Sequence, residues 1–206
     1  MTTKTTKILL ERHTAKLSFA VSLIDDYSGD ASIGRIDVRL KGRDKKPVKN
    51  PSSYYTFLNL PDDTYTVRVR SDHYFDEDSG IIEPAKLDPI EPVVEMILKP
   101  KPTYPFPPGA TLIRGMVRDS AGKAVSGARV MVREMCVESS TTEKGEFVLY
   151  FGSLTEDEIV REDGKMFLKG DNNCKIIHLE AEYSGLTKTT ELQVKEGGTT
   201  SVIIQW

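Results

Sequence analysis

"RGMVRDSAGKAVSGARVMVRE", residues 114–134, holds two alternating runs on either side of a Ser-Ala-Gly-Lys turn. Successive side chains of a strand point to opposite faces, so strict alternation across a turn predicts a pair of half-buried strands. Ala128, Val130 and Val132 take the core face, and charged residues recur at every second position. Arg114, Arg118, Asp119, Arg129, Arg133 and Glu134 are therefore expected to face water as scaffold, not to line a chemical site.

The same grammar extends in both directions. Leu17, Phe19, Val21 and Leu23 share one face of "KLSFAVSLIDD", residues 16–26, and Ile36, Val38 and Leu40 alternate with Asp37, Arg39 and Lys41. Tyr65, Val67 and Val69 oppose Thr66, Arg68 and Arg70, and "PVVEMILKP" closes the first half. After residue 134, Phe147, Leu149 and Phe151 share a face, and Ile177, Leu179, Ala181 and Tyr183 oppose His178, Glu180 and Glu182. Short strands between frequent turns predict an all-β fold of antiparallel sandwiches.

Between the halves lies "KPKPTYPFPPG", residues 99–109, with five of the chain's eleven prolines. Proline has no amide donor and a fixed φ, so this segment is expected to run extended as a spacer. The expected organisation is an N-terminal β-sandwich over 1–99, a linker over 100–109 and a second β-sandwich over 110–206. One stretch, residues 153–174, breaks the alternation. Thr155 and Glu158 have capping-box spacing, which predicts a short helix from about Glu156 to Arg161. A small hairpin is expected around "KMFLKG", residues 165–170.

Composition bounds the function. The net charge is -3, and the basic residues are interspersed with acids, which argues against nucleic acid as a ligand. No apolar run reaches the ~18 residues of a membrane span. The apolar run near the start is too short for a secretory signal, so a cytoplasmic location is expected. Cys136 and Cys174 are read as free thiols with an undetermined pairing, and with His13, His73 and His178 they lack the paired spacing of a tetrahedral zinc site.

The motif positions of the opening stretch resemble a known family. Gly115, Val117, Asp119, Gly122, Val125, Gly127, Ala128, Val130, Thr142, Gly145, Phe147 and Leu149 follow the pattern of the carboxypeptidase regulatory-like module. That module is a transthyretin-like (prealbumin-like) β-sandwich. The likeness covers residues 111–206 apart from the insertion, and more loosely 15–99, where "YYTFLNLPDDTYTVRV", residues 54–69, resembles a further element of the module with Asp63 in place of glycine. It implies two tandem antiparallel β-sandwich domains, prealbumin-like or immunoglobulin-like, with a helix or hairpin inserted in the second. It implies no activity.

Chemistry is sparse. There is no Gly-x-Ser-x-Gly elbow and no phosphate-cradling glycine loop. An enzyme would need His178 or Cys136 joined to an acid from elsewhere in the fold. The acidic loop "SDHYFDEDSG", residues 71–80, lacks the spacing of a calcium-binding loop. No catalytic, cofactor-binding or metal residue is assigned, and no cofactor is expected. Tyr104 and Phe106 in the linker are expected to pack between domains or to anchor a protein partner, and Asp76 and Asp78 are expected to contact that partner. The function expected is a non-enzymatic structural or protein-interaction module, similar to accessory components of contractile-tail-like assemblies. A carbohydrate-binding module of starch-binding-like type is the alternative.

Overall fold

A computed structural model of the chain describes residues 14–206. The apolar run at residues 8–10 and His13 lie outside the described residues. The chain is all-β, with sixteen strands among the described residues and only single 3-10 turns beside them. No helix of these residues is long and apolar enough to cross a membrane.

Two compact units form. One takes the described residues up to Leu23 together with Asp37–Val69 and Glu77–Met96; the other takes Ile24–Ile36, Arg70–Asp76 and Ile97–Trp206. The proline-rich segment 100–109, expected as a spacer, thus belongs to the second unit. Its aromatic side chains explain this, because Tyr104 is buried there.

The strands of the first half are β1 (Leu17–Asp25), β2 (Ile36–Leu40), β3 (Val48–Lys49), β4 (Tyr55–Leu58), β5 (Val67–Ser71), β6 (Glu77–Asp78) and β7 (Val93–Leu98). They form sheets in the orders β3-β4-β1-β7 and β2-β5-β6. Phe19 and Phe57 stand opposite each other in register, and their rings stack at 4.8 Å. Val38, Leu40, Tyr65, Val67 and Val69 are buried as the alternation predicts. Leu17 departs from it and is 43% exposed, because an irregularity between Leu17 and Phe19 shifts the ladder. The Tyr65 hydroxyl donates to the Pro61 carbonyl at 2.6 Å, so the buried ring also fixes the loop before it.

The second half supplies β8 (Thr111–Arg118), β9 (Arg129–Val132), β10 (Val137–Ser140), β11 (Glu146–Phe151), β12 (Ile159–Glu162), β13 (Lys165–Leu168), β14 (Ile177–Tyr183), β15 (Leu186–Leu192) and β16 (Thr199–Gln205). Two sheets run β10-β9-β14-β15 and β11-β8-β16, and β12 pairs with β13 alone. The halves repeat one strand order. β1 lies between β4 and β7 as β8 lies between β11 and β16, and β5 lies between β2 and β6 as β14 lies between β9 and β15. β16 runs parallel to β8, from Thr199 opposite Leu112 to Gln205 opposite Arg118. The chain reaches β16 from β15 in the other sheet, and no hairpin joins it to β8.

The core between these two sheets holds Ile113, Val117, Val130, Val132, Phe147, Leu149, Leu179 and Ile204, all essentially out of water. Gly115 is required inside it. A Cβ there would stand 2.6 Å from the Phe147 ring and 2.4 Å from the Val202 carbonyl oxygen. The other face of β8 and β11 is also covered, since Leu112 and Val148 pack under Tyr27, Phe106 and Tyr150. Alternation therefore breaks down along β8, where both faces are dry.

The insertion is ordered. Thr155 and Glu158 make the reciprocal capping box, but the helix is one 3-10 turn, Glu156–Glu158, and the chain then enters β12. Asp163 and Gly164, at φ 49° and 73°, form the turn from β12 to β13. Asp-Gly is the residue pair that such a two-residue hairpin turn favours. Leu168 at the end of β13 is fully buried in the main core and anchors the hairpin.

Candidate functional site

Three strands and two tight turns of the second unit fix the groups with chemical capacity. Asp25, at the end of β1, is fully buried. Its Oδ2 accepts the hydroxyls of Tyr74 at 2.8 Å and Tyr104 at 2.5 Å, and its Oδ1 accepts the amide of Tyr27 at 2.8 Å. Burial and this carboxylate push the Tyr74 hydroxyl up to about 12 and the Tyr104 hydroxyl higher. Around the pair, Tyr27 meets Phe106 edge-on at 5.0 Å, and Tyr150 donates its hydroxyl to Asp26 at 2.5 Å. Burial, then Asp26, raises the Tyr150 hydroxyl as well. Both Asp25 oxygens and the hydroxyls of Tyr74, Tyr104 and Tyr150 have partners, and the cluster is a structural keystone.

Four residues were singled out from sequence, and the structure separates them. The Tyr104 ring is buried, and its hydroxyl is committed to Asp25. Phe106 is half-buried among Tyr27, Tyr104 and Tyr150, with the Arg114 guanidinium 5.4 Å from its ring centre. Asp76, in the second unit, faces Arg70 at 3.4 Å and Lys101 at 3.6 Å. Asp78, in the first unit, takes Arg68 at 2.6 Å and Lys41 at 2.9 Å, and these cations hold its carboxyl far below the ordinary range. Asp76 and Asp78 thus neutralise basic side chains.

Two of the opening charges form a wet ladder. Arg129 on β9 pairs with Glu138 on β10 and with Glu182 on β14, and Arg133 pairs with Glu180. Asp119 accepts the amides of Ala121 and Lys123 in its own turn.

Glu134 is the exception. It sits in the 3-10 turn Arg133–Met135 that follows β9, and this turn aims it at β14. Glu134 Oε1 accepts the His178 amide at 2.9 Å and meets His178 Nδ1 at 2.7 Å. His178 shares a face with Glu180 and Glu182 in the alternation, but its partner is an acid 44 positions away. Hydrogen bonding to Glu134 raises His178. Burial pushes Glu134 up, but its own amide and His178 outweigh that and leave it lowered. Asp171, in the turn before β14, completes a group whose ligand atoms all lie within 4.8 Å of one another. An imidazole and two carboxylates from three separate segments converge here. No local sequence pattern announces it.

No family model matches the chain, and no curated protein matches it. Solved structures do. The Bacillus anthracis TIE protein is similar at 13% identity and TM-score 0.30, over 91% of this chain and 33% of that one. The minor pilin GBS52 of the Gram-positive pathogen Streptococcus agalactiae is similar at 10% identity and TM-score 0.27, over 91% of this chain and 94% of that one. A streptococcal ancillary pilin is similar at 13% identity and TM-score 0.25, over 91% and 62%. The chain therefore spans a third of the first of these proteins. The expected cytoplasmic location is withdrawn against these findings, since two of the three are titled pilins. No compartment is assigned in its place.

Proposed function

We propose that the chain is a non-enzymatic structural or protein-interaction module whose second unit is a carboxypeptidase regulatory-like β-sandwich. The family reading is supported by its motif positions: Gly115 makes room for Phe147, and Val117, Ala128, Val130 and Leu149 share one core with them. The interaction reading rests on one observation. β16 is the end strand of its sheet, seven residues long and free of proline, and Ile203 on it is 68% exposed. An end strand carries unused amides and carbonyls, and an extended segment of another protein can pair with them while its side chains meet the exposed residues. Lys188 guards only the end of this edge, donating to the Gln205 carbonyl.

The partner proposed is a protein of a large repeated assembly, in line with the likeness to accessory components of contractile-tail-like particles. Density-gradient fractionation of native extracts tests this. Wild-type chain is expected to sediment with a high-mass particle, and Ile203→Lys is expected to stay at the top with its fold intact. Equal sedimentation of the two removes β16 as the contact.

A second reading has an observation of its own. Tyr183, Leu186 and Trp206 line an open cleft of about 600 Å³ with Asp119, Lys123 and Glu143. Aromatic rings beside charged groups suit a sugar. Saturable quenching of Trp206 fluorescence by oligosaccharides would favour a carbohydrate ligand, and a flat titration would dismiss it.

A further inference from the structure

We propose that Glu134, Asp171 and His178 form a binding site for a single divalent transition-metal cation, a role independent of the interaction reading above. The three offer one ligand atom each within 4.8 Å of one another. They come from the turn after β9, the turn before β14 and β14 itself. A cation held there would tie these segments together.

The Glu134 carboxylate marks the site as more than a surface ion pair. Its side chain is only 10% exposed, and Oε2 is out of water with no hydrogen-bond partner. A buried carboxylate oxygen left unpaired is costly, and a cation is the partner that removes the deficit. Oε1, by contrast, is fixed by the His178 amide and Nδ1. The carboxylate is thus held in place before any ligand arrives.

Charge favours a cation as well. Glu191 stands directly across the β14–β15 pair from His178, on the same face. Three carboxylates therefore surround one imidazole. Arg133 and Lys175, two basic side chains close by in sequence, are engaged with Glu180 and Glu162.

Ligand chemistry narrows the metal. Calcium and magnesium take oxygen donors, whereas a mixed imidazole and carboxylate set suits zinc, cobalt or manganese. Zinc bonds of about 2.0–2.2 Å put neighbouring ligand atoms roughly 3 Å apart. His178 Nδ1 and Glu134 Oε1, now 2.7 Å apart, would open slightly as the cation replaces the proton they share. Asp171 is exposed, with a carboxylate oxygen already within 4.8 Å of the other two ligand atoms. His178 is 38% exposed, which leaves an entry path.

The test uses the full chain stripped of metal and titrated with Zn²⁺ by calorimetry and with Co²⁺ by visible absorption. One equivalent is expected to bind with an affinity on the order of micromolar or tighter, and zinc is expected to raise Tm. His178→Ala and Asp171→Asn should each weaken binding at least about tenfold and abolish the Tm shift. Both residues are at the surface, so the variants should fold, and circular dichroism would check this. His73→Ala and the double variant Cys136→Ala/Cys174→Ala should bind as wild type does. Binding that survives His178→Ala, that disappears in the cysteine-free chain, or that never reaches one equivalent would overturn the proposal and leave an ordinary Glu134–His178 ion pair.

Discussion

Tyr104 donates its hydroxyl to Asp25 across 79 positions of sequence, at 2.5 Å and out of contact with water. Tyr74 donates to the same oxygen from 49 positions away. One carboxylate therefore holds three segments of the second unit together. Asp25→Ala would strand two buried hydroxyls and the Tyr27 amide. Each unmet buried group costs about 1–3 kcal/mol, so a loss of about 3 kcal/mol or more is expected. Urea denaturation measures it, and a loss below about 1 kcal/mol would show that water or a shifted loop replaces the carboxylate.

The same cluster sets the alkaline limit. Burial and Asp25 push Tyr74 up to about 12, against about 10 in an unfolded chain. The folded protein thus keeps a proton that the unfolded chain releases. Its contribution is complete below about pH 10 and falls from there to about pH 12, by about 1.4 kcal/mol per pH unit. Denaturation midpoints measured between about pH 9 and about pH 12 should drop steeply in the wild type. Tyr74→Phe should start less stable and lose less over that interval. Parallel slopes would assign the alkaline transition to other groups.

Gly115 marks the closest approach inside the second core. Gly115→Ala would drive a methyl into the Phe147 ring and the Val202 carbonyl. Overpacking of this kind costs about 1–3 kcal/mol. Phe147→Leu removes one of the two obstacles, so the double variant should lose less than the two single losses added together. Strict additivity would mean that the Val202 carbonyl alone sets the limit.

The charged ladder should matter little. Arg129 pairs with Glu138 and Glu182 at the surface. Exposed pairs contribute about 0–1 kcal/mol and are screened by salt. Arg129→Ala is expected to change stability by less than about 1 kcal/mol, with the difference shrinking further in molar salt. A larger, salt-independent loss would show that the arginine stem packs on the sheet.

Local pattern carried the strands and the inward residues. Val130, Val132, Phe147 and Leu149 are buried as their alternation requires, and Thr155 and Glu158 make the cap their spacing implies. What it missed depends on distance along the chain. Asp25 reads as one acid in a turn, and its role appears only when Tyr74 and Tyr104 arrive from far away. Proline composition speaks of backbone stiffness and says nothing of where the rings of Tyr104 and Phe106 find cover. Glu134 looked like the last member of a wet face, yet a 3-10 turn after β9 breaks the period of two and redirects it toward His178. Alternation is informative only while the strand continues.

Ile24–Ile36 and Arg70–Asp76 belong to the second unit although they precede most of it in the chain. A fragment cut at the prolines and expressed alone would lack Asp25, Tyr27 and Tyr74. It would lose Tyr27 from the cover over Leu112 and Val148 and leave Tyr104 without its Asp25 acceptor. On the ribosome, too, Asp25 emerges early and must wait for Tyr74 and Tyr104 before its site can close. A fragment meant to carry the whole second unit therefore has to include Ile24–Ile36 and Arg70–Asp76.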